Sequence, residues 1–309
     1  MNIDVVIVTY NRLEKLKKTL QCYENQTARF RNLIIVNNHS TDGTFEFLQS
    51  WSKKMSSFEK HIINSEDNLG GSGGFFLGQK YSMQLNPDWI YLADDDAYPD
   101  STMIEKFYEY ISNHNTEKIS AICGAVYNLN GEISCQHRST YSITNLIHYT
   151  RKSSTFDDYK KECFEIDFLS YVCSFLNAKA LKKYGLVNPN YFIYYDDTEH
   201  SLRLKKYGAI ICVPSIKIEH EESGGSLNNN SDITWQDYYY YRNRNHMLKK
   251  HHPLVAINNT RLFIKHAFRH QYTDNQKKVI RAALIDMWLG TLGKHSIYKP
   301  GWKMEIHQQ

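Results

Sequence analysis

Two groups of adjacent carboxylates are the residues of this sequence whose types and spacing could perform chemistry. Asp94, Asp95 and Asp96 directly follow the apolar run 89–93, which is typical of a buried strand that ends in a loop. Three adjacent anions repel one another unless a cation is present, and hard oxygen ligands suit Mg²⁺ or Mn²⁺. The alternative is a solvated acidic loop, and the bare triplet favours neither interpretation.

The second group is Asp196 and Asp197, which follow an aromatic segment and begin a helical pattern. The helix macrodipole favours an acid at such a helix start, so ordinary capping explains one carboxylate. A second carboxylate below the aromatic segment could act as a general base. His220 ends a short strand-like pattern and precedes a polar loop at 221–225, where a ligand role is an alternative to a structural one.

A repeated strand–helix pattern supplies the elements that must position these residues. Apolar runs at 5–9, 33–36, 61–64 and 89–93 predict parallel strands, with helical patterns between them. This repetition predicts an α/β fold with a doubly wound, mostly parallel sheet. Ligands of such sheets bind at the carboxyl ends of the strands, and a polar cluster follows each of these runs. We therefore expect the clusters to converge on one crevice.

The sequence 68–74 predicts a glycine-rich turn, with a helix from Phe75 onward. Its glycines would let backbone N–H groups approach a ligand at the helix start, although a merely flexible loop is the alternative. The segment matches neither a Walker A loop nor a dinucleotide fingerprint.

The second half of the chain is less regular. Residues 121–126 predict a strand and a following hairpin turn, and 136–165 predict an irregular loop on the acceptor side. Strands are predicted at 168–175, 209–213 and 217–220. From Trp235 the sequence predicts helical structure, with a second helix beginning near Asp274.

Composition narrows the class of protein. The 309 residues are 41% hydrophobic and 23% charged, as in a globular protein with a substantial core. The net charge of +4 is too weak to indicate a nucleic-acid partner. The basic surplus lies from Arg242 onward, in helices that suit an anionic membrane surface or, alternatively, packing against the catalytic domain or a second subunit.

The cysteines and the hydropathy of the sequence indicate the cellular compartment in which we expect the protein. Six scattered cysteines without a CxxC pair favour reduced thiols over a disulfide framework. A strand pattern begins almost at Met1, so no signal peptide is expected. No apolar run approaches the roughly 20 residues needed to cross a bilayer. We expect a cytoplasmic protein, peripheral at the inner face of the plasma membrane if the basic helices bind lipid.

Together, four motifs resemble an inverting, family-2 glycosyltransferase of the GT-A fold. They are Val8-Thr9-Tyr10-Asn11-Arg12, Asn37-Asn38-His39-Ser40-Thr41-Asp42-Gly43-Thr44, Asp94-Asp95-Asp96 and Asp196-Asp197. Within the family, residues 68–75 together with 94–97 are most similar to bacterial galactofuranosyltransferases, and rhamnosyltransferases share parts of the pattern. The resemblance covers roughly residues 1–225.

The resemblance implies a Rossmann-like GT-A catalytic domain over 1–234 and a helical C-terminal extension over 235–309. The catalytic domain would divide into a nucleotide-sugar half, about 1–120, and an acceptor half, about 121–234. Asp94, Asp96 and His220 would hold Mn²⁺ or Mg²⁺. The catalytic base would be Asp197, and Asp196 would orient the acceptor.

The implied donor-binding residues lie in the first hundred positions of the chain. They are Thr9, Tyr10, Arg12, Asn37, Asn38, Asn68, Gly71, Asp94 and Asp95. The family usually has Asp where this chain has Asn37. Arg242 and Arg244 would add charge near the phosphates, or would form a basic helix face.

The implied activity is metal-dependent, inverting transfer of galactofuranose from UDP-galactofuranose to a hydroxyl of a growing, lipid-linked surface polysaccharide. The implied partners are therefore a UDP-sugar donor and a glycan or glycolipid acceptor, and a homo-oligomer is a further expectation. Alternative donors are dTDP-rhamnose and a UDP-hexopyranose.

Two alternatives come from other classes of protein. A nucleotidyltransferase would typically carry a glycine-rich, basic loop where this chain has residues 9–12. A non-catalytic sugar-nucleotide-binding protein would have no need for Asp196 and Asp197.

Overall fold

Parallel strands flanked by helices form the first part of the chain in the computed structural model, which describes residues 1–221, 233–268 and 272–302. Residues 222–225 of the predicted polar loop lie outside the described residues. The strands are β1 (Ile3–Thr9), β2 (Asn32–Asn37), β3 (Glu59–Asn64), β4 (Trp89–Asp94), β5 (Ala97–Pro99), β6 (Ile119–Tyr127), β7 (Arg138–Thr144), β8 (His148–Ser153), β9 (Phe164–Ile166), β10 (Phe168–Leu169), β11 (Ser174–Asn177) and β12 (Ala209–His220).

The α-helices alternate with the first strands and then continue alone at the end of the chain. They are α1 (Leu13–Glu24), α2 (Thr44–Ser52), α3 (Gly70–Gln84), α4 (Met103–Asn113), α5 (Ala178–Tyr184), α6 (Asp196–Leu204), α7 (Trp235–His251), α8 (Pro253–Phe268) and α9 (Asp274–Leu289). Within the described residues, none of these helices combines the length and the apolar character that crossing a membrane requires.

The main sheet has the strand order β3-β2-β1-β4-β11-β6-β12-β5, and β9 pairs with β12 at one side. Strands β1 to β4 are mutually parallel where they pair. The continuous apolar runs of β1, β2 and β4 predict this arrangement, because both faces of these strands are buried. One core cluster lies on each face of the sheet. The predicted α/β fold with a mostly parallel sheet and C-terminal helices is therefore confirmed.

The predicted glycine-rich turn is wrong in its extent, because α3 already begins at Gly70. These glycines allow the helix to pack closely on β1. A Cβ atom at Gly74 would lie 2.5 Å from Val8 Cγ1, and one at Gly78 would lie 2.2 Å from Val6 Cγ1. Close packing of this helix on the sheet therefore outweighs the low helix propensity of glycine.

The predicted irregular loop at 136–165 is also wrong, because it contains β7 and β8. These strands form a small antiparallel sheet of order β10-β7-β8. The predicted strand 168–175 is divided into β10 and β11, with Cys173 between them at φ 60. Conversely, the two strands predicted at 209–213 and 217–220 are one strand, β12, interrupted by a bulge.

The C-terminal extension contains a further helix that was not predicted separately. Pro253 begins α8 directly after α7, because proline cannot continue the preceding helix but is tolerated in a first turn. The six cysteines are all within the described residues and are unpaired, in agreement with the predicted reduced thiols.

Candidate active site

The predicted site residues meet in a cleft at the carboxyl ends of the parallel strands. Pairing of β1 with β4 places Val8 opposite Asp94. The cleft has a volume of about 1110 Å³, and both carboxylate groups line it through Asp94, Asp96, Asp196 and Asp197. Acids that are about a hundred positions apart in the sequence therefore face one cavity.

The group formed by Asp94, Asp96 and His220 has the composition of a divalent metal site. One ligand atom from each residue lies within 4.8 Å of the other two. Main-chain pairing of β5 with β12 places His220 opposite Ala97, the residue after the acidic triplet. Two carboxylate oxygens and an imidazole nitrogen are ligands that suit Mn²⁺, so the donor set fits the predicted ion.

The three acids of the triplet differ in their proton affinity. Burial raises the pKa of Asp94 to about 6, and the neighbouring charges of Asp96 and Asp197 add to the effect. Burial also raises the pKa of Asp95 to about 7, although Arg12 opposes the rise. For Asp96, burial is outweighed by the hydrogen bond from His220 and by the charge of Arg12, so its pKa is lowered.

Arg12 lies at the mouth of the cleft and neutralises part of the triplet. Its Nη1 donates to Asp96 Oδ2 at 2.7 Å and to Asp95 Oδ1 at 3.2 Å. His220 Nε2 lies 3.2 Å from Asp96 Oδ1. Arg12 and His220 therefore offset the mutual repulsion of the carboxylates in this structure.

The second carboxylate pair begins α6. Asp197 Oδ1 accepts hydrogen bonds from the Thr198 backbone N–H and, at 3.0 Å, from the Thr198 hydroxyl. Burial raises the pKa of Asp197, while the positive charge of Arg151 opposes the rise. Burial and the charge of Asp197 raise the pKa of Asp196 well above its usual range. A carboxylate with a raised proton affinity at the cleft wall is suited to accept a proton.

The segment before this pair has an unusual backbone that α7 supports. Phe192, Tyr194 and Tyr195 all have positive φ angles, between 62 and 68, which non-glycine residues rarely adopt. Asn243 of α7 donates through Nδ2 to the carbonyls of Tyr191, at 2.8 Å, and of Ile193, at 2.6 Å. Surrounding contacts of this kind are needed to hold strained backbone in place.

The predicted donor-side residues fall into two groups. A second cavity of about 320 Å³ shares Arg12, Gly71 and Asp94 with the main cleft. Its other lining residues from the prediction are Tyr10, Asn38, Asn68 and Asp95. Apart from the nearby backbone of α3 itself, no atom of the described residues lies within 4 Å of a Cβ built on Gly71, so this helix position is open to the cavity.

Thr9 and Asn37 lie behind the cavity lining. Both are buried, and the Asn37 side chain donates to Asn64 Oδ1 at 2.9 Å and accepts from Ser40 N at 3.1 Å. Asn38 organises the loop before α3, since it donates to Gly70 O at 3.0 Å and accepts from Leu69 N at 2.9 Å.

Arg242 does not form the exposed phosphate contact that the sequence suggested. It is 1% exposed, and its guanidinium donates to the carbonyls of Gly293 at 2.7 Å and Tyr191 at 3.2 Å. Arg242 therefore supports the segment before α6. Arg244 lies half-buried with its guanidinium 5.8 Å from the centre of the Tyr149 ring.

Three further residues contribute to the site but were not identified from the sequence. Trp235 and Gln236, at the start of α7, line the donor-side cavity. Arg138 is completely buried and donates through Nη2 to Val172 O at 2.7 Å and Cys173 O at 3.1 Å. Arg138 thereby fixes a segment that forms one wall of the cleft, and no local sequence pattern indicates this role, because β7 itself was predicted as an irregular loop.

Comparison with known sequences gives a family match that includes the acidic triplet and ends before Asp196, Asp197 and His220. The model of glycosyl transferase family 2 matches residues 4–185. Galactofuranosyltransferase GlfT1 of Mycolicibacterium smegmatis is 34% identical over 116 residues, which cover 37% of this chain and 37% of that protein. The match thus spans only about a third of each protein. The dTDP-rhamnosyl transferase RfbF of Shigella flexneri is 27% identical over 230 residues, covering 71% of this chain and 69% of that protein.

Solved structures match over most of the chain. S. aureus TarS 1–349 in complex with UDP-GlcNAc aligns with a TM-score of 0.59 at 14% identity, covering 93% of this chain and 80% of that one. GalNAc-T7 with UDP, GalNAc and Mn²⁺ aligns with a TM-score of 0.58 at 14% identity, covering 84% and 54%. At this identity the likeness concerns the fold, and it confirms the predicted GT-A architecture.

Proposed function

The chain belongs to glycosyl transferase family 2, and from this premise we propose that it transfers a sugar from a nucleotide diphosphate donor to a hydroxyl group of a surface polysaccharide, with inversion at the anomeric carbon. The observation that carries the proposal is the convergence of Asp94, Asp96 and His220 with Asp196 and Asp197 in one cleft. A binding protein would not need the second carboxylate pair.

In the proposed reaction, the acceptor hydroxyl oxygen attacks the anomeric carbon from the face opposite the diphosphate. The new C–O bond forms as the bond to the diphosphate breaks, and the diphosphate leaves with that electron pair. Asp197 takes the hydroxyl proton, which typically contributes about 10²–10⁴ in rate. Asp196 orients the acceptor. Asp94, Asp96 and His220 would hold Mn²⁺ or Mg²⁺, which when bound supplies Lewis-acid stabilisation of the leaving diphosphate.

The donor side of the proposal assigns the remaining cleft residues. Tyr10, Asn38, Asn68 and Gly71 would contact the nucleotide sugar from the second cavity, whose lining they share. Arg12 would exchange its contacts with Asp95 and Asp96 for the diphosphate. Thr9 and Asn37 would act from behind the lining by shaping the loops that the donor touches.

We propose UDP-galactofuranose as the donor because GlfT1, whose name states galactofuranosyl transfer, has a higher residue identity to this chain than RfbF has. A rhamnosyl donor is the second candidate, because the match to RfbF extends over a much larger part of both chains. A UDP-hexopyranose is a third. The acceptor would be a lipid-linked glycan at the cytoplasmic face of a membrane, reached through the C-terminal helices.

The test is release of nucleotide from a panel of UDP-galactofuranose, UDP-galactose and dTDP-rhamnose, each with Mn²⁺, with Mg²⁺ and with a chelator. We expect release from one donor, at a rate that the chelator lowers. Metal-independent release from every donor would contradict the proposal, as would no binding of any sugar nucleotide.

The matched variants in this test are Asp96→Ala and Asp157→Ala. Removing one ligand should weaken metal-dependent UDP binding more than about tenfold, measured by titration with Mn²⁺. Asp157 is exposed on a short turn away from the cleft, so its variant should behave as the wild type. An unaltered metal titration for Asp96→Ala would remove Asp96 from the metal site.

A further inference from the structure

Helix α8 presents an exposed apolar face that no other described part of the chain covers. Each large apolar side chain on this face is about one or two helical turns from the next, and this spacing places them all on one side of the helix. They are Leu254 at 49% exposure, Ile257 at 52%, Ile264 at 48% and Phe268 at 80%. The opposite side buries Val255, Ala256 and Asn258. Exposed contiguous apolar surface of this kind marks an interaction site.

Helix α9 extends this face sideways. Ile285, Trp288 and Leu289 are exposed on one side of the helix. Trp288 Nε1 donates to the Thr260 hydroxyl of α8 at 3.2 Å, and Thr260 lies within one turn of both Ile257 and Ile264. The two apolar stripes are therefore neighbours. We call this combined surface the α8–α9 face. It consists of the exposed apolar residues of α8 and α9 together with the exposed charged residues between them.

The charged residues of the α8–α9 face are basic. Arg261 and Lys265 on α8, and Lys278 and Arg281 on α9, are exposed. Helix α8 contains no acidic residue. The acids of α9 are both paired: Asp274 is in the first turn, where it pairs with Lys277, and the half-buried Asp286 accepts a hydrogen bond from the hydroxyl of the buried Tyr238.

We infer that the α8–α9 face docks on an anionic lipid surface. A second copy of the chain would place basic residues against basic residues, whereas an anionic bilayer accepts the apolar side chains and the positive charge together. Apolar residues of an interfacial helix typically enter the headgroup boundary by about 5–10 Å.

The orientation of α8 connects this face with the catalytic cleft. Helices α7 and α8 run antiparallel, since Asn259 Nδ2 donates to Asn245 Oδ1 at 3.2 Å across the tight connection at His252. The end of α8 at Phe268 is therefore level with the start of α7, where Gln236 lines the cleft. Docking places the mouth of the cleft beside the bilayer, which suits the lipid-linked acceptor of the proposed function, on which this last step rests.

The experiment is co-sedimentation of the full chain with vesicles of phosphatidylcholine alone or with about one third phosphatidylglycerol. We expect binding to the anionic vesicles that declines as salt is raised, because salt screens the basic residues. Arg261→Gln with Arg281→Gln should weaken binding at least tenfold, since each basic residue near an anionic surface contributes about fivefold or more. Ile264→Ser with Phe268→Ser should weaken it at any salt concentration.

The controls are Met55→Ser and Lys53→Gln, because both residues are exposed in the connection between α2 and β3 and neither belongs to the α8–α9 face. They should bind vesicles as the wild type does. Equal binding of all variants, or no preference for anionic vesicles, would overturn the inference. It would equally be overturned if the α8–α9 variants changed the molar mass in solution but not vesicle binding, because the face would then join two copies.

Failure of the proposed function gives a different pattern of results. Nucleotide release in lipid-free solution should be the same for the wild type and the α8–α9 variants, because none of the altered residues lines the cleft. A wild-type protein that binds anionic vesicles but releases no nucleotide would refute the transferase proposal and leave the docking face intact.

Discussion

Asp197 and Glu199 lie in the first turn of the same helix, α6, and their surroundings give them opposite properties. The Glu199 side chain is fully buried, yet it accepts from Arg203 Nε at 2.9 Å, Lys250 Nζ at 2.8 Å and His251 Nε2 at 3.2 Å. Burial alone would raise its pKa, but these partners together lower it well below its usual range. The pKa of Asp197, with Thr198 as its hydrogen-bond donor, is raised by burial.

The comparison shows that burial by itself does not decide what a carboxylate does. Glu199 joins the helix that carries the predicted base to the last turn of α7, and its cationic partners keep it ionised. Asp197 faces the cleft, and burial raises its pKa although Arg151 and Thr198 oppose the rise, so Asp197, unlike Glu199, can receive a proton. The predicted base is thus held in position by a neighbouring acid that cannot replace it.

The sharpest test of the comparison is Asp197→Asn. We expect kcat to fall by about 10²–10⁴, because the positioned base is lost, while the affinity for UDP and Mn²⁺ and the thermal stability stay near wild type. Turnover is measured by nucleotide release with acceptor present, and affinity by titration. Asp196→Asn should raise the KM for the acceptor. Unchanged turnover of Asp197→Asn would remove it as the base.

The second test is Glu199→Gln, which should act on stability. Loss of this charge removes the carboxylate partner of the largely buried Arg203, and breaking such a pair typically costs roughly 3–5 kcal/mol of unfolding free energy. Urea denaturation measures the change, with the exposed Glu162→Gln as control. The comparison would be wrong if Glu199→Gln reduced turnover as Asp197→Asn does while leaving the unfolding free energy unchanged.

Glu199→Gln also tests a prediction about the pH dependence of stability. Because the folded-state pKa of Glu199 is lowered, its stabilisation is fully present above the unfolded pKa of about 4.5 and is lost as pH falls through the lower folded value. The wild type should therefore lose more stability than Glu199→Gln as pH falls below about 4.5.

The smallest expected effect concerns Arg151, whose charge lowers the pKa of Asp197. Arg151→Gln should raise that pKa further, so the acidic limb of the kcat profile should move to higher pH, by less than about one unit for an exposed cation. Lys152→Gln is the matched control, because alternation along β8 directs its side chain to the other face. An identical kcat profile for both variants would show that the charge of Arg151 does not influence the pKa of the predicted base.

The parallel part of the fold could be predicted because each of its strands can be recognised from its own residues. β1 and β4 are continuous apolar runs, and the rule that ligands bind at strand carboxyl ends places Asp94 and Asp96 in the cleft. The three predicted metal ligands, Asp94, Asp96 and His220, follow from the same rule together with the resemblance to the family at His220. Which loops hold the donor, and whether Thr9 and Asn37 touch it directly, depends on side-chain packing that no local pattern encodes.

The errors arose where distant residues determine the local structure. β7 and β8 are polar on their outer face, and the inner-face residues Tyr141 and Tyr149 pack against a core cluster that includes residues of α7 and α8, about a hundred positions later. Arg242 has the sequence appearance of a surface cation, but carbonyl groups from two distant segments surround it. Helix propensity likewise predicts a loop at 70–74, because the close contacts that favour glycine there, with Val8 at Gly74 and with Phe192 at Gly70, involve residues distant in the sequence.

The contact between α3 and the segment before α6 has a consequence for chimeric enzymes. Gly70 has φ +71, and a Cβ atom there would lie 2.1 Å from Phe192 O. The backbone N–H of Ser72 donates to Phe192 O at 3.1 Å, and its hydroxyl donates to Asn188 O at 2.6 Å. An N-terminal half grafted from another family member to alter sugar preference therefore needs a glycine and a small hydroxyl residue at these two places. A graft with a bulkier pair would displace the segment before α6 and with it the predicted base Asp197, even though every residue of α6 had been kept.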